Sequence, residues 1–224
     1  MGVPALIVAA GSGQRLGAGG PKALVQLAGR PLYGWSVAAF RQAKQIDRIF
    51  VVVPPGLGAQ FTESGIVTVD GGKTRSHSVA NGLKAILEED DPGIVAVHDA
   101  ARPLVSPGLI DAAVIALDAD SELDGLIAAA PVTDTVKRLG EAGVVVETLD
   151  RSTLVAVQTP QVFRTLSLQR AIGSGDLAAA TDDASLVEAA GGSVGVIEAP
   201  SANIKVTVPG DLELAAHLLE AQDD

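Results

Sequence analysis

Arg15 and Lys22 lie in the stretch AAGSGQRLGAGGPK, residues 9–22, of a chain with 27 acidic and 16 basic residues. Two cations on a glycine-rich loop suit phosphate chemistry. Backbone N–H groups approach an anion closely where no Cβ intervenes, and fixed positive charge stabilises the charge that develops during transfer. The spacing narrows the ligand. A dinucleotide fingerprint needs G-x-G-x-x-G leading straight into a helix. Here Gly11, Gly13 and Gly17 give G-x-G-x-x-x-G, and GAGGPK is a poor helix former. The second apolar strand ends in Pro54–Pro55 without the acidic residue that would hold a ribose. A P-loop also fails, because Lys22 follows Pro21 and no Ser or Thr comes next. A triphosphate cradle and a flexible loop with two solvated cations both remain.

Other constellations carry paired readings. VHDAARP, residues 97–103, ends an apolar strand. Asp99 there suits Mg²⁺, which takes a carboxylate together with water and phosphate oxygens, and Arg102 suits a second phosphate. The alternative is a capping Asp and a surface Arg. His98 has no Cys or His at metal spacing and reads as a packed residue. VDGGKTRSHSV, residues 69–79, is a second glycine turn entering a helix, fit to hold an anion or read a base edge, or simply to cap. Thr135 and Arg151 flank a hairpin. Thr159 either bonds phosphate or ends its strand before Pro160. Lys205, in NIKVT (203–207), is a phosphate ligand or a gatekeeper on a short edge strand.

The elements that must position these residues alternate. Apolar runs at 5–10, 49–54, 93–99, 125–131, 154–160 and 194–199 predict strands buried on both faces. Between them lie helix signals: Pro31 before Leu32, Trp35, Ala39 and Phe40; Thr74 and Ser76 before Val79, Leu83, Ile86 and Leu87; and Ser106–Pro107 before Leu109, Ile110, Ala113, Val114 and Leu117. Thr181 precedes Asp182 and Asp183, with Gly191 as a stop, and Pro209 opens a last helix with Leu212, Ala216 and Leu219 inward. This rhythm predicts a three-layer α/β domain with a mostly parallel sheet. Residues 135–149 break it as a β-hairpin, which projects as an arm with edges open to a partner.

Composition excludes further classes. The 224 residues suffice for one sizeable core, and no apolar run is long enough to span a membrane. A net charge of −11 and 3% aromatics argue against general nucleic-acid or anionic-membrane binding. Without cysteine there are no disulfides or thiolate metal sites, and a cytoplasmic location fits.

The order A-A-G-x-G-x-R-(L/M)-G…P-K resembles the signature of nucleotidyltransferases that join a polyol phosphate to a nucleotide. With PKAL, DGGKTRSHSV, VHDAARP, APVTDTVK, DR, QTPQVF, TDDASLVE and NIKVT following in order, the whole chain resembles the 2-C-methyl-D-erythritol 4-phosphate cytidylyltransferase family. The resemblance implies a single Rossmann-like nucleotidyltransferase domain over 1–224. It implies a β-arm at about 132–152 joining a homodimer, and transfer of CMP from CTP to the polyol phosphate. Arg15, Lys22, Asp99 and Lys205 would be catalytic, with Asp99 holding Mg²⁺. Ala9, Ala10, Gly11, Ser12, Gly13, Arg15, Lys22, Gly72, Ser78, Asp99 and Ala100 would hold CTP, Gly72 and Ser78 helping to select cytosine. Asp99, Arg102, Thr159 and Lys205 would bind the acceptor, and Thr135 and Arg151 would reach the acceptor site of the other subunit. Lys73 and His77 depart from the acidic residues common in the family at those places: a main-chain nucleotide contact there survives the change, and a side-chain contact to the ribose does not. A ribitol 5-phosphate or other polyol-phosphate cytidylyltransferase is the neighbouring reading; HDAARP and NIKVT favour methylerythritol phosphate.

Overall fold

The structure, a computed structural model, describes residues 2–13, 16–17 and 19–223. Arg15 lies outside the described residues. In chain order the elements are β1 (Val3–Val8), β2 (Gln26–Leu27), β3 (Arg30–Pro31), α1 (Leu32–Gln42), β4 (Ile46–Val53), β5 (Ile66–Asp70), α2 (Arg75–Glu89), β6 (Ile94–Asp99), α3 (Pro107–Ala119) and β7 (Gly125–Pro131). Then follow β8 (Lys137–Leu139), β9 (Val145–Thr148), β10 (Val155–Arg164), α4 (Thr165–Ser174), α5 (Asp183–Ala189), β11 (Val194–Glu198) and α6 (Pro209–Asp223).

Seven strands make one sheet in the order β11-β7-β10-β6-β1-β4-β5. It is parallel except for β10, which runs antiparallel to both β6 and β7. Side chains alternate across β1: Ala5 and Ile7 face the core built with α1 and α3, while Leu6 faces the core built with α2, α4 and α5. Both faces are therefore covered, as the unbroken apolar runs require. Full burial of Leu6 or Ile7 contributes about 1.5–3 kcal/mol each. Helix α2 packs against β1 so closely that a Cβ at Gly82 would sit 2.2 Å from Leu6 Cδ1. No helix among the described residues is long and apolar enough to cross a membrane.

The caps at Thr74, Ser106 and Asp182 bond the backbone N–H of His77, Leu109 and Ser185, so those helix starts follow local side-chain chemistry. Four expectations need correction. β5 is a strand where only the lead to a glycine turn is expected; in its IVTVD, at the sheet edge, Ile66 and Val69 are half-buried and the other three residues are exposed, so no long apolar run marks it. α4 is a helix absent from those expectations. β10 does not stop at Pro160 but runs on to Arg164, with an irregular register between Val157 and Gln161 that takes up the proline. NIKVT forms no strand: Val206 N–H donates to Ala101 C=O, and Asn203 is tied by side-chain bonds, so the segment is a strap laid over loops.

The sheet places the site. β1 has β4 on one side and β6 on the other, and the carboxyl ends of adjacent strands leading in opposite directions open a crevice. Val8 pairs with Asp99, and Ala100 N–H donates to Val8 C=O at 3.1 Å, so the glycine loop and Asp99 leave the sheet side by side. A third small cluster, with Leu16, Leu27, Leu32, Leu104, Val206 and Ala215, packs α6 beneath the loops that carry Lys22, Arg102 and Lys205.

Candidate active site

Two clefts meet at the carboxyl end of the sheet. The larger, about 700 Å³, is lined by Ala9, Ala10, Gly11, Ser12, Gly13, Lys22, Gly72, Ser78, Asp99, Ala100 and Lys205 among others. Every expected CTP-binding residue among the described ones therefore faces one chamber. The second cleft, about 400 Å³, is lined by Arg102, Thr159, Gln161, Thr181, Asp182 and Glu188 together with Arg75, Asp99 and Lys205. Arg75, Asp99 and Lys205 belong to both clefts and form the wall between them.

That wall is an ion-pair chain. Arg75 Nε donates to Asp99 Oδ1 at 2.9 Å, and Lys205 Nζ donates to Asp99 Oδ2 at 2.6 Å. Arg75 also donates to Asp183 Oδ2 at 2.7 Å, and Asp183 is wholly buried. Burial pushes the Asp99 pKa up, but Arg75 and Lys205 together outweigh it and hold the carboxyl well below its usual range. Burial also opposes charge on Arg75, and Asp183 and Asp99 more than restore it. An anion arriving in either chamber thus meets cations already in place.

The glycine loop approaches closely. Gly13 adopts φ +69°, and a Cβ there would lie 2.9 Å from Lys22 Cβ. Lys22 N–H donates to Gly11 C=O at 3.2 Å, which folds the loop back over the chamber. Opposite stands the start of α2. Gly72 N–H donates to Ser78 Oγ, and Ser78 Oγ donates to Thr74 C=O, both at 3.0 Å. Ser78 is buried and spends its hydroxyl on shaping this turn. Lys73 lines the chamber, while His77 Nδ1 lies 2.8 Å from Thr74 Oγ1.

Arg102 donates to Asn203 C=O at 2.8 Å and to Val157 C=O at 3.2 Å, and its buried Nε has no partner. Burial lowers its pKa and Asp99 resists. His98 is fully buried. Its Nε2 lies 3.1 Å from Arg102 C=O, and its Nδ1 lies 2.9 Å from Thr159 Oγ1. Burial pushes its pKa down to about 4 despite Asp99 nearby. Asp99 N–H donates to Thr159 Oγ1 at 3.2 Å.

Thr135 and Arg151 line neither cleft. Both are exposed at the arm, where β8 and β9 pair antiparallel and Arg151 donates to Thr133 C=O. Leu139, Val144, Val145 and Val146 are all more than half exposed on this arm. Sequence reasoning missed Arg75 and Asp183 as wall residues and Thr181 and Gln161 as lining. Arg75 and Asp183 are 108 positions apart, so no local pattern joins them. The signal available was a charged residue directly after each cap, Arg75 after Thr74 and Asp183 after Asp182, that the cap does not need.

A sequence model of the family described as IspD, 2-C-methyl-D-erythritol 4-phosphate cytidylyltransferase, matches residues 3–221. The chain is 44% identical over 227 residues to the 2-C-methyl-D-erythritol 4-phosphate cytidylyltransferase of Frankia casuarinae, covering 99% of this chain and 82% of that one. It is 42% identical to the enzyme of the same name from a Synechococcus species, covering 97% of each. The crystal structure of 2-C-methyl-D-erythritol 4-phosphate cytidylyltransferase from Thermus thermophilus superimposes with a TM-score of 0.79 at 36% identity, covering 98% of this chain and all of that one.

Proposed function

The chain belongs to the 2-C-methyl-D-erythritol 4-phosphate cytidylyltransferase family, and from that premise we propose how its two chambers move CMP from CTP to the acceptor. The enzyme transfers the cytidylyl group to 2-C-methyl-D-erythritol 4-phosphate, giving 4-diphosphocytidyl-2-C-methyl-D-erythritol and pyrophosphate. The observation that carries the mechanism is the shared wall: Arg75, Asp99 and Lys205 face both clefts. CTP occupies the larger cleft, its triphosphate under the glycine loop with Lys22 and Arg15. The acceptor phosphate occupies the smaller cleft beside Arg102. The two phosphates meet at Lys205.

An oxygen of the acceptor phosphate attacks the α-phosphorus of CTP, and the bond from that phosphorus to the β-bridging oxygen breaks. The electron pair leaves with pyrophosphate. The attacking oxygen is already ionised near neutral pH, so no general base is needed. Catalysis then rests on holding two anions together and stabilising the transferring group, the work of Lys22, Arg15 and Lys205.

Among the described residues no group of three or more acidic or His side chains forms a metal cage. Asp99 is the single carboxylate among the described residues lining the larger cleft, and each of its oxygens keeps an acceptor site beyond its ion pair. That donor set fits Mg²⁺, which takes few protein ligands and shares phosphate oxygens and water. Asp99 would hold it, and the bound ion would neutralise charge on the departing pyrophosphate. Residues 1–224 act as one catalytic domain, with the arm at 132–152 as a dimer contact. Its exposed apolar side chains support that contact, and Thr135 and Arg151 would complete the partner's acceptor chamber. The reaction is placed in the cytoplasm, since both substrates carry charges that are costly to move through an apolar bilayer.

The test is pyrophosphate release with CTP and Mg²⁺ and each acceptor separately. Methylerythritol phosphate is expected to turn over fastest. Faster turnover of ribitol 5-phosphate would overturn the acceptor assignment.

A further inference from the structure

Thr159 borders the acceptor cleft, yet its hydroxyl has little to offer a phosphate. A threonine hydroxyl has one proton to donate and two lone pairs. Arg102 C=O can only accept, so the His98 ring nitrogen 3.1 Å away, Nε2, carries the proton. In the neutral ring of this buried histidine, Nδ1 is then an acceptor, and it takes the Thr159 hydroxyl proton at 2.9 Å. One lone pair of the same oxygen receives Asp99 N–H at 3.2 Å. The proton that would reach a phosphate oxygen is already committed.

These three bonds tie together the parts that the chemistry needs fixed. Thr159 comes from β10, Asp99 and His98 from the end of β6, and Arg102 from the turn that follows. The strand junction is antiparallel here, so Thr159 reaches Asp99 across the sheet from a part of the chain 60 positions away. Arg102 in turn spans from Asn203 to Val157, two residues before Thr159. Asn203 also donates to Thr159 C=O at 2.9 Å. Asp99, His98, Thr159 and Asn203 are buried, Arg102 is half-buried, and the set is cross-braced; its outputs are the Asp99 carboxylate at the wall and the Arg102 guanidinium in the acceptor cleft.

We propose that Thr159 and His98 are positioning residues, a buried relay that sets Asp99 and Arg102 at the junction of the two chambers rather than a ligand set for the acceptor. The inference rests on the assignment of CTP to the larger cleft. It makes a demand that a ligand role does not. Thr159 does not line the larger cleft, so an acceptor ligand there would leave CTP binding untouched, whereas a relay through Asp99 alters it.

The experiment is calorimetric titration of CTP with Mg²⁺, without acceptor, into wild type, Thr159→Val, Thr159→Ser and His98→Gln, followed by steady-state kinetics. Loss of a residue that orients a metal or phosphate ligand costs about tenfold in affinity. Thr159→Val and His98→Gln are expected to weaken CTP binding by about that factor, and to lower kcat about 10²-fold through misplacement of the reacting groups. Thr159→Ser keeps the hydroxyl and is expected to stay near wild type. Unchanged CTP affinity in Thr159→Val, with a raised acceptor KM alone, would overturn the relay and return Thr159 to the acceptor. His98→Gln keeps a donor toward Arg102 C=O and carries the test where Thr159→Val does not fold. Pyrophosphate release by wild type reports on the function assignment separately, so the two failures are distinguishable.

Discussion

The wall between the chambers and the β-arm both carry cations and threonines, yet they differ in who their partners are. At the wall, Asp99, Arg75, Lys205, His98 and Thr159 bond one another over distances of 2.6–3.2 Å, and Asp99, His98 and Thr159 are buried. On the arm, Thr135 and Arg151 are exposed and Val144, Val145 and Val146 face outward without a core behind them. The wall's bonds are made within one chain; on the arm, apolar side chains face outward, and the proposed dimer would cover them. Residues of similar type therefore fail in different ways. A wall substitution disturbs both chambers at any protein concentration. An arm substitution should matter through assembly, or, at Thr135 and Arg151, through the partner's acceptor chamber.

The largest expected effect lies at the glycine loop that faces the wall. Lys22→Ala is expected to lower kcat by about 10²–10³-fold with folding intact, as for removal of one charge-stabilising donor, measured by pyrophosphate release and thermal melting. Wild-type turnover would remove Lys22 from the mechanism. Next comes the arm. Val146→Asp places a charge on its apolar face and is expected to yield a monomer by size-exclusion chromatography and to cut turnover about tenfold or more, with the melting point nearly unchanged. A fully active monomer would break the comparison, because the chain would then need no partner.

An effect read in stability and not in turnover comes from the titration of His98. Its native pKa is lowered from 6.5 to about 4, so the unfolded chain binds more protons than the native one between those values. Stability should thus fall as pH drops from 6.5 toward 4, by about 3 kcal/mol from this group. Denaturant titrations of wild type and His98→Gln across that range should differ in slope, the variant being flatter. Asp99 acts in the same direction lower down: its pairing stability is present above the unfolded value of 3.8 and is lost as pH falls through its depressed native value. The smallest effect belongs to the arm pair Arg138–Glu147, whose side chains are 61% and 52% exposed. Glu147→Gln should cost no more than about 0.5 kcal/mol in a melting experiment.

The same contrast explains what could be read from residues alone. The runs around Ile7, Val51 and Val97 are apolar throughout because both sheet faces are covered, so those strands were visible. The loop from Gly11 to Lys22 showed its ligand class through glycine spacing and two cations. The hairpin at 135–149 stood out because it broke the α/β rhythm. What stayed hidden depends on meetings across the chain. Nothing near Arg75 announces Asp183, and nothing near Thr159 shows that its hydroxyl faces His98. Lys205 looked like a residue in a short strand because its neighbours Ile204 and Val206 are apolar. They are apolar for another reason: they pack into the small cluster under the site loops, while the backbone bonds to Ala101 instead of a strand ladder.

The central claim is that the two phosphates meet at the wall, beside Lys205. Steady-state pyrophosphate release by Lys205→Ala, with Arg138→Ala on the arm as control, tests it most directly. The account predicts a kcat lower by about 10²-fold for Lys205→Ala and near-wild-type turnover for the control. A Lys205→Ala enzyme that keeps wild-type kcat, with only its CTP or acceptor KM raised, would contradict it.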